Sequence, residues 1–212
     1  MQKKSHEVWW ETNLGNEYYT HHNTLVPAPS IEEFESWMGD HNAIDRIKAR
    51  ELLVEYNNIL DAGCGAAPES KVVNKDKYFS IDITPKLVDY NISRGINCKQ
   101  GSLMDIPYED NFFDVVISRH VVEHMSEIEK PLAELIRVAK KQVLLYFFID
   151  TVLFGPHDIV LDNKGTTGEL YHNTYSKHKI DEALNTINKV HSYEWVVGAG
   201  KTKVFLSIML GK

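Results

Sequence analysis

The sequence has few cysteines, fewer basic than acidic residues and no long apolar run. Each of these features excludes some classes of protein. Only two of its 212 residues are cysteine, Cys64 and Cys98. Cys64 lies within a glycine-rich stretch, so we expect no structural disulfide and a reducing, cytoplasmic location. The longest apolar run covers residues 143–149, far fewer than the ~20 residues that a membrane span needs. No membrane-spanning segment is therefore predicted.

Basic residues are outnumbered by acidic ones. The chain carries 23 Lys and Arg against 30 Asp and Glu, which gives a formal net charge of −7. Proteins that grip a phosphate backbone usually have a basic face, so this balance argues against nucleic acid as a partner. A local basic patch stays open, and the sequence does not determine the oligomeric state.

What the sequence does contain is a glycine-rich stretch at residues 59–65, Ile-Leu-Asp-Ala-Gly-Cys-Gly. Ile59 and Leu60 are typical of the end of a buried strand, and the glycines after them permit positive φ angles and close approach to a ligand. Ligands of open α/β sheets bind at the carboxyl ends of strands, so the stretch predicts a small-molecule pocket. Pro68 occupies the position of the third glycine in a dinucleotide fingerprint, which argues against NAD or FAD. A glycine turn without a ligand is the alternative.

Strands and helices alternate along the rest of the chain. Capping boxes at Ser30 and Ser126 predict helices that begin there. Further helices are expected at 42–56, 84–94 and 176–187, and strands at 59–60, 78–81, 96–100, 113–118, 143–149, 189–197 and 202–210. This order predicts a doubly wound, Rossmann-like α/β fold, with a seven-stranded sheet, helices on both faces and a C-terminal antiparallel hairpin.

Three segments of the chain have different expected roles. Residues 1–30 are dense in aromatic side chains and lack a regular period, a density that is unusual for a disordered tail. We expect residues 1–41 to form a cap or lid, although a flap that only covers the core explains the aromatic residues equally well. Residues 42–212 form the main domain, and residues 150–175 within it are an expected insertion on the substrate side.

Asp82 follows the second predicted strand, 21 positions after Asp61. At about this distance from a glycine turn, an acidic residue can accept hydrogen bonds from both hydroxyls of a ribose. A surface carboxylate at a strand end is the alternative, and the spacing favours the ribose.

Four motifs occur in order at residues 59–65, 80–83, 101–114 and 121–124: Ile-Leu-Asp-Ala-Gly-Cys-Gly, Ser-Ile-Asp-Ile, Gly-Ser-Leu-Met-Asp-Ile-Pro-Tyr-Glu-Asp-Asn-Phe-Phe-Asp and Val-Val-Glu-His. Together they resemble the class I S-adenosylmethionine (SAM)-dependent methyltransferases over roughly residues 42–210. Four motifs in sequence are much more specific than any one of them.

The resemblance implies that SAM is the cofactor and indicates where it binds. The methionine part would lie at the glycine turn and the ribose at Asp82. The adenine would lie near Ile83, Ser102 and Leu103, and Ser118 and Arg119 would border the sulfonium and the acceptor. The implied cofactor-binding residues are Asp61, Ala62, Gly63, Cys64, Gly65, Asp82, Ile83, Ser102, Leu103, Ser118 and Arg119. Two departures from the family pattern stand out. Ser102 replaces a frequent Asp, and Lys140-Lys141-Gln142 replaces a Pro-Gly-Gly turn, which we interpret as a remote loop.

His120 is the candidate general base, because it lies two residues past Ser118 and histidine as a residue type titrates near neutral pH. A packing role is the equal alternative. His120, Glu123 and His124 are all possible metal ligands, but the prediction is that no metal is bound. Tyr19, His157 and His172 are expected to face the methyl acceptor.

The resemblance therefore implies a SAM-dependent methyltransferase whose partner is a small polar molecule, methylated at oxygen or nitrogen, of the sugar or secondary-metabolite type. One alternative is a methyltransferase acting on RNA or another nucleic acid, which would need a basic, aromatic-lined face. The other is a SAM-binding scaffold that has lost catalysis.

Overall fold

The computed structural model describes residues 5–12, 30–40, 53, 55–147, 171–197 and 204–211. Its helices are α1 (Ser5–Glu11), α2 (Ile31–Asp40), α3 (Pro85–Ser93), α4 (Glu129–Val138) and α5 (Lys177–Asn185). Short 3₁₀ turns occur at Pro68–Lys71, Lys75–Lys77 and Val122–His124. No helix in these parts of the chain is long and apolar enough to cross a membrane.

Seven strands form one sheet in the order β3-β2-β1-β4-β5-β7-β6. The strands are β1 (Ile59–Ala62), β2 (Tyr78–Asp82), β3 (Asn97–Gln100), β4 (Phe113–Arg119), β5 (Ala139–Tyr146), β6 (Val190–Val197) and β7 (Val204–Leu210). Strands β1 to β5 are parallel, and β7 runs antiparallel to both β5 and β6. The predicted doubly wound sheet with a final antiparallel hairpin is confirmed.

Residues of the central strands alternate between two faces of the sheet. Leu60 packs in a core cluster with Leu135 of α4 and Ile180 of α5, whereas its neighbour Ile59 packs in a separate cluster with Leu144. Every residue of β1 and β4 is buried, as expected for strands covered on both sides. The sheet order places the carboxyl ends of β2, β1 and β4 side by side, and the site is built there.

The start of the chain contains a helix that its lack of a regular period did not predict. Helix α1 has only seven residues, too few to show a period or to be stable alone. Its Trp9 is nevertheless buried, so packing stabilises it. The helix predicted over 42–56 lies mostly outside the described residues, and the Ser30 cap is present, since Ser30 Oγ accepts the Glu33 N–H (3.2 Å).

The region around α4 corrects two predictions. The capping box at Ser126 is wrong, because Ile128 is the N-cap residue and its side chain makes no capping bond. The loop expected at Lys140-Lys141-Gln142 is also wrong, because β5 begins at Ala139, directly after α4. The side chain of Lys189 replaces a turn there: its Nζ donates to the carbonyls of Ile136 (2.7 Å), Arg137 (3.2 Å) and Ala139.

Candidate active site

The glycine turn follows β1 and is held against the end of β2. The N–H groups of Gly63 and Cys64 both donate to the carbonyl of Ile81, at 2.9 and 3.0 Å. Gly63 has φ of 80° and Gly65 has φ of 57°, a region that glycine adopts without steric cost. A Cβ on Gly63 would lie 2.5 Å from Val121 Cγ2. The glycine therefore lets the turn approach the segment that follows β4.

The carboxylate of Asp82 anchors the same turn. Its Oδ2 accepts the N–H of Gly65 (2.8 Å), and its Oδ1 accepts the N–H of Thr84 (2.9 Å). Burial raises the pKa of Asp82, and the N–H groups of Thr84 and Gly65 oppose that rise. The side chain of Thr84 and the N–H of Ile83 also lower the pKa of Asp82, so bound hydroxyl groups would share the carboxylate with these donors. A carboxylate at this strand end suits a ribose.

A buried polar cluster lies beside the turn. The hydroxyl of Tyr78 donates to Asp61 Oδ2 (2.5 Å), and Arg119 Nε pairs with Glu69 Oε1 (3.0 Å). Burial, and secondly the negative charge of Glu69, raise the pKa of Asp61 to about 8. The guanidinium of Arg119, predicted to border the sulfonium and the acceptor, is thus engaged with a carboxylate that the sequence reasoning missed. An acidic residue in the first turn after the glycines was the available signal.

The predicted cofactor residues differ in how their side chains are used. Cys64 packs in a core cluster with Tyr78 and Val88, and its Sγ lies 4.0 Å from the Sγ of Cys98, both being free thiols. Burial raises the pKa of Cys64 well above its usual range. Only its backbone is therefore available to a ligand at the turn. Ser118 is buried as well, with its hydroxyl donating to the carbonyl of Ala62 (2.8 Å).

The predicted adenine side lies next to Asp82. The N–H of Gly101 donates to the carbonyl of Asp82 (3.0 Å), which brings Ser102 and Leu103 beside the end of β2. The hydroxyl of Ser102 accepts the N–H of Met104 (3.0 Å) and keeps its own proton for donation. Leu103 is buried and Ile83 is half-buried. The structure thus brings both predicted adenine segments together at one strand end.

His120 stands in an unusual backbone conformation directly after β4. Its φ is 55°, a left-handed value that costs a non-glycine residue about 1–2 kcal/mol. Its N–H donates to the carbonyl of Tyr146 (2.9 Å), and the next residue, Val121, meets Gly63. The backbone at His120 therefore turns sharply beside the glycine turn, and strain of this kind is common at functional sites.

Three segments meet at His124, four residues after His120. The ring of His124 lies 5.2 Å from that of Trp10 in α1 and 5.0 Å from that of His172, and its Nδ1 lies 2.7 Å from the carbonyl oxygen of Tyr171. The predicted acceptor residue His172 thus contacts the segment that follows β4, while Tyr19 and His157 lie outside the described residues. Trp10 was missed, although the aromatic density of its segment pointed to it.

The histidines and carboxylates of this region do not form a metal centre within the described chain. No group of three or more His, Cys, Asp or Glu side chains among the described residues is arranged to hold a metal ion. Glu123 is fully buried, and its backbone carbonyl accepts the N–H of Asn173 (2.8 Å). The segment Val122–His124 therefore joins β4 to the stretch before α5.

Comparison with known proteins finds a matching family model and several related sequences. A family model described as a methyltransferase domain matches residues 60–147. Ajmaline N-methyltransferase of Rauvolfia serpentina is 36% identical over 96 residues, which is 39% of this chain and 32% of that protein. The chain spans between 32% and 48% of the length of the curated relatives it matches.

Solved structures share the fold over nearly the whole chain. Magnesium protoporphyrin IX methyltransferase from Synechocystis PCC 6803, crystallised with bound SAM, is 13% identical with a TM-score of 0.62, and the match covers 99% of both chains. A Thermotoga maritima SAM-dependent methyltransferase, described as a possible histamine N-methyltransferase, is 14% identical with a TM-score of 0.61, covering 85% of this chain and 96% of the other. At these identities the likeness concerns the fold.

Proposed function

We propose that this chain is a class I SAM-dependent methyltransferase, which transfers the methyl group of SAM to a nitrogen or oxygen of a small polar acceptor. The observation that carries the proposal is the state of Asp82. Its buried carboxylate lies at the carboxyl end of β2, where ligands of this fold bind, and it accepts the Gly65 N–H of a turn with positive φ angles.

Bound SAM would supply a methyl group already activated by its sulfonium. The protein's part is then to hold and orient. Asp82 would accept the ribose hydroxyls, Ile83, Ser102 and Leu103 would border the adenine, and the backbone from Asp61 to Gly65 would line the methionine part. Correct placement of reacting groups accounts for much of the rate of such a displacement.

The acceptor side is proposed to consist of His120, His172 and the neighbouring aromatic residues. His120 would take the proton that an oxygen or nitrogen acceptor loses, which is the ordinary role of a general base. Nitrogen is favoured by the activity named for the Rauvolfia relative, and a small acceptor by the net charge of −7. Tyr19 and His157 are kept as proposed acceptor contacts. No metal is proposed to take part.

The division of the chain follows from the same assignment. Residues 1–41 are proposed as a cap over the methyltransferase domain of residues 42–212, and residues 150–175 as its substrate-side insertion. The two free, buried thiols suit a reducing compartment such as the cytoplasm.

Binding of SAM is the first test. Calorimetry of the wild type should show SAM and S-adenosylhomocysteine binding, and Asp82→Ala should weaken both by at least about tenfold, because two charge-assisted hydrogen bonds and the anchor of Gly65 are lost. Asp89→Ala is the matched control, since Asp89 is exposed on α3. A wild type that binds no SAM would refute the proposal.

The acceptor is the second test. Labelled SAM should be incubated with fractions of a cell extract, and label should enter a small molecule with the wild type but not with Asp82→Ala. Label in RNA or DNA would favour the nucleic-acid alternative. Binding of SAM with no transfer to any fraction would favour the non-catalytic scaffold.

A further inference from the structure

The carbonyl groups of the glycine turn are held by side chains from α3 and the residue after it. Asn91 Nδ2 donates to the carbonyl of Gly65 (2.8 Å), and Arg94 Nη2 donates to that of Ala66 (2.5 Å). Asn91 is fully buried, and its Oδ1 accepts a second bond from Arg94 Nη2 (2.8 Å). The two side chains thus fix the orientation of successive peptide groups just after Gly65. Asp82 fixes the same turn through the Gly65 N–H.

Arg94 also contacts the preceding part of the chain. Its Nη1 pairs with Glu35 Oε1 of α2 (2.5 Å), and its guanidinium lies 4.4 Å from the ring centroid of Tyr90. A guanidinium is planar and has five donors, so one side chain can bridge two partners with fixed geometry. Arg94 therefore links α2 to the turn through adjacent nitrogen atoms.

Glu35 is the centre of this contact on α2. Its carboxylate accepts the hydroxyl of Tyr90 (2.9 Å) and pairs with Lys71 (2.9 Å) as well as with Arg94. Burial acts to raise the pKa of Glu35, but the hydrogen bonds from Lys71, Tyr90 and Arg94 outweigh it, so its pKa is lowered. Glu35 is consequently an anion at neutral pH, although its side chain is largely buried.

Apolar packing at the same place makes the contact continuous. Phe34 of α2 packs against Ala66 of the turn and Leu87 of α3, with Ile31 and Tyr90 at the edge of this cluster. Phe34, the residue before Glu35, therefore packs against Ala66, whose carbonyl accepts a hydrogen bond from Arg94. Movement of α2 would change both the packing and the hydrogen bonding of the turn.

We propose that Arg94 is a positioning residue for SAM, which orients the cofactor turn through Ala66 and Asn91 and links its geometry to the docking of α2 through Glu35. The inference rests on the proposed function, because it assigns SAM to the turn. By linkage, if docking of α2 strengthens SAM binding, then SAM strengthens the docking of α2 by the same factor.

The test compares two cations that share Glu35 as partner. Arg94→Met should raise the SAM dissociation constant and KM by at least about tenfold, while kcat at saturating SAM stays within about threefold, because the reacting groups are untouched. Lys71→Met removes the other positive charge that pairs with Glu35, yet the Lys71 side chain is mostly exposed and makes no hydrogen bond to the turn within the described part of the chain. It should change the SAM dissociation constant by less than about twofold.

Two more variants separate positioning from general stability. Arg94→Lys can reach Ala66 or Glu35 but cannot bridge both in the same way, so it should restore only part of the SAM affinity. Glu35→Gln should weaken SAM by about threefold and add little to Arg94→Met, since the two residues act through one contact. Independent, additive effects of these two substitutions would contradict the link.

The outcomes discriminate between this inference and the proposed function. If the wild type does not bind SAM, both the proposed function and the positioning role of Arg94 are refuted. A wild type that binds SAM, together with folded Arg94→Met and Lys71→Met proteins of equal SAM affinity, removes the positioning role alone. If Arg94→Met does not fold, Glu35→Gln decides: SAM affinity equal to that of Lys71→Met overturns the inference, and a weaker affinity supports it.

Discussion

At the scale of single residues, His120 combines two properties that a mutation can separate. Its backbone has a left-handed φ of 55°, and its side chain is the proposed general base. A substitution to alanine removes the imidazole but keeps the backbone cost. A substitution to glycine removes both, so the pair distinguishes strain from chemistry.

For His120→Ala we expect turnover to fall by about 100-fold or more, the usual contribution of a general base, with the SAM dissociation constant changed by less than about threefold. His120→Gly should lose the same turnover. It should be at least as stable as His120→Ala in urea unfolding, because relief of about 1–2 kcal/mol of strain exceeds the about 0.5–1 kcal/mol that glycine costs through the unfolded chain. Full turnover in either variant would remove the base assignment.

The sequence reveals only part of the site at this scale. Asp82, Ser102 and His120 lie at or just after the carboxyl ends of β2, β3 and β4. The alternation of strands and helices along the chain predicts that these ends share one edge of the sheet. Glu69, Asn91 and Arg94 were not recognised. Each acts through a hydrogen bond or ion pair to a residue 26 to 50 positions away. A contact between residues so far apart in the chain produces no local pattern in the sequence.

At the scale of secondary structure, the junction of α4 and β5 shows the same limit. Parallel strands β1, β2 and β4 were located to within one or two residues, because buried apolar runs end at glycine or polar residues. The start of β5 was placed four residues too late. Lys140 and Lys141 are exposed and charged, so the first part of β5 does not have the apolar pattern of a buried strand. Lys189, which caps α4, lies about 50 residues further along the chain.

Lys189 is therefore expected to be a strong contributor to stability. Its ammonium donates to three carbonyls at the carboxyl end of α4, where a positive charge also interacts favourably with the helix dipole. Lys189→Met should lower the free energy of unfolding by about 2 kcal/mol, since buried acceptors lose a charged donor. Urea unfolding at constant pH measures the loss.

The matched control for this variant is Lys140→Met, which removes the same charge from an exposed position in β5. It should change the free energy of unfolding by no more than about 0.5 kcal/mol. Equal losses in the two variants would mean that charge, and not capping of α4, is responsible.

At the scale of the whole molecule, the two described helices before the sheet contact different sides of the site. Helix α2 reaches the glycine turn through Glu35 and Phe34. Helix α1 instead lies against the segment after β4, where Trp10 meets His124, and against Tyr171, which His6 contacts edge-on at 6.2 Å. The cap expected from aromatic density thus has one contact with the proposed cofactor side and another with the proposed acceptor side.

This arrangement predicts that α1 affects the acceptor more than SAM. Deletion of residues 1–12 removes Trp10 from His124 and His6 from Tyr171 but leaves Glu35 paired with Arg94. Turnover with an acceptor found in the labelled-SAM screen should fall by at least about tenfold, because positioning of the acceptor is disturbed. The SAM dissociation constant, measured by calorimetry, should change by less than about threefold. A longer deletion of residues 1–40 also removes Glu35, and it should weaken SAM binding as well. If the short deletion weakens SAM as much as the long one, the two helices do not have separate roles.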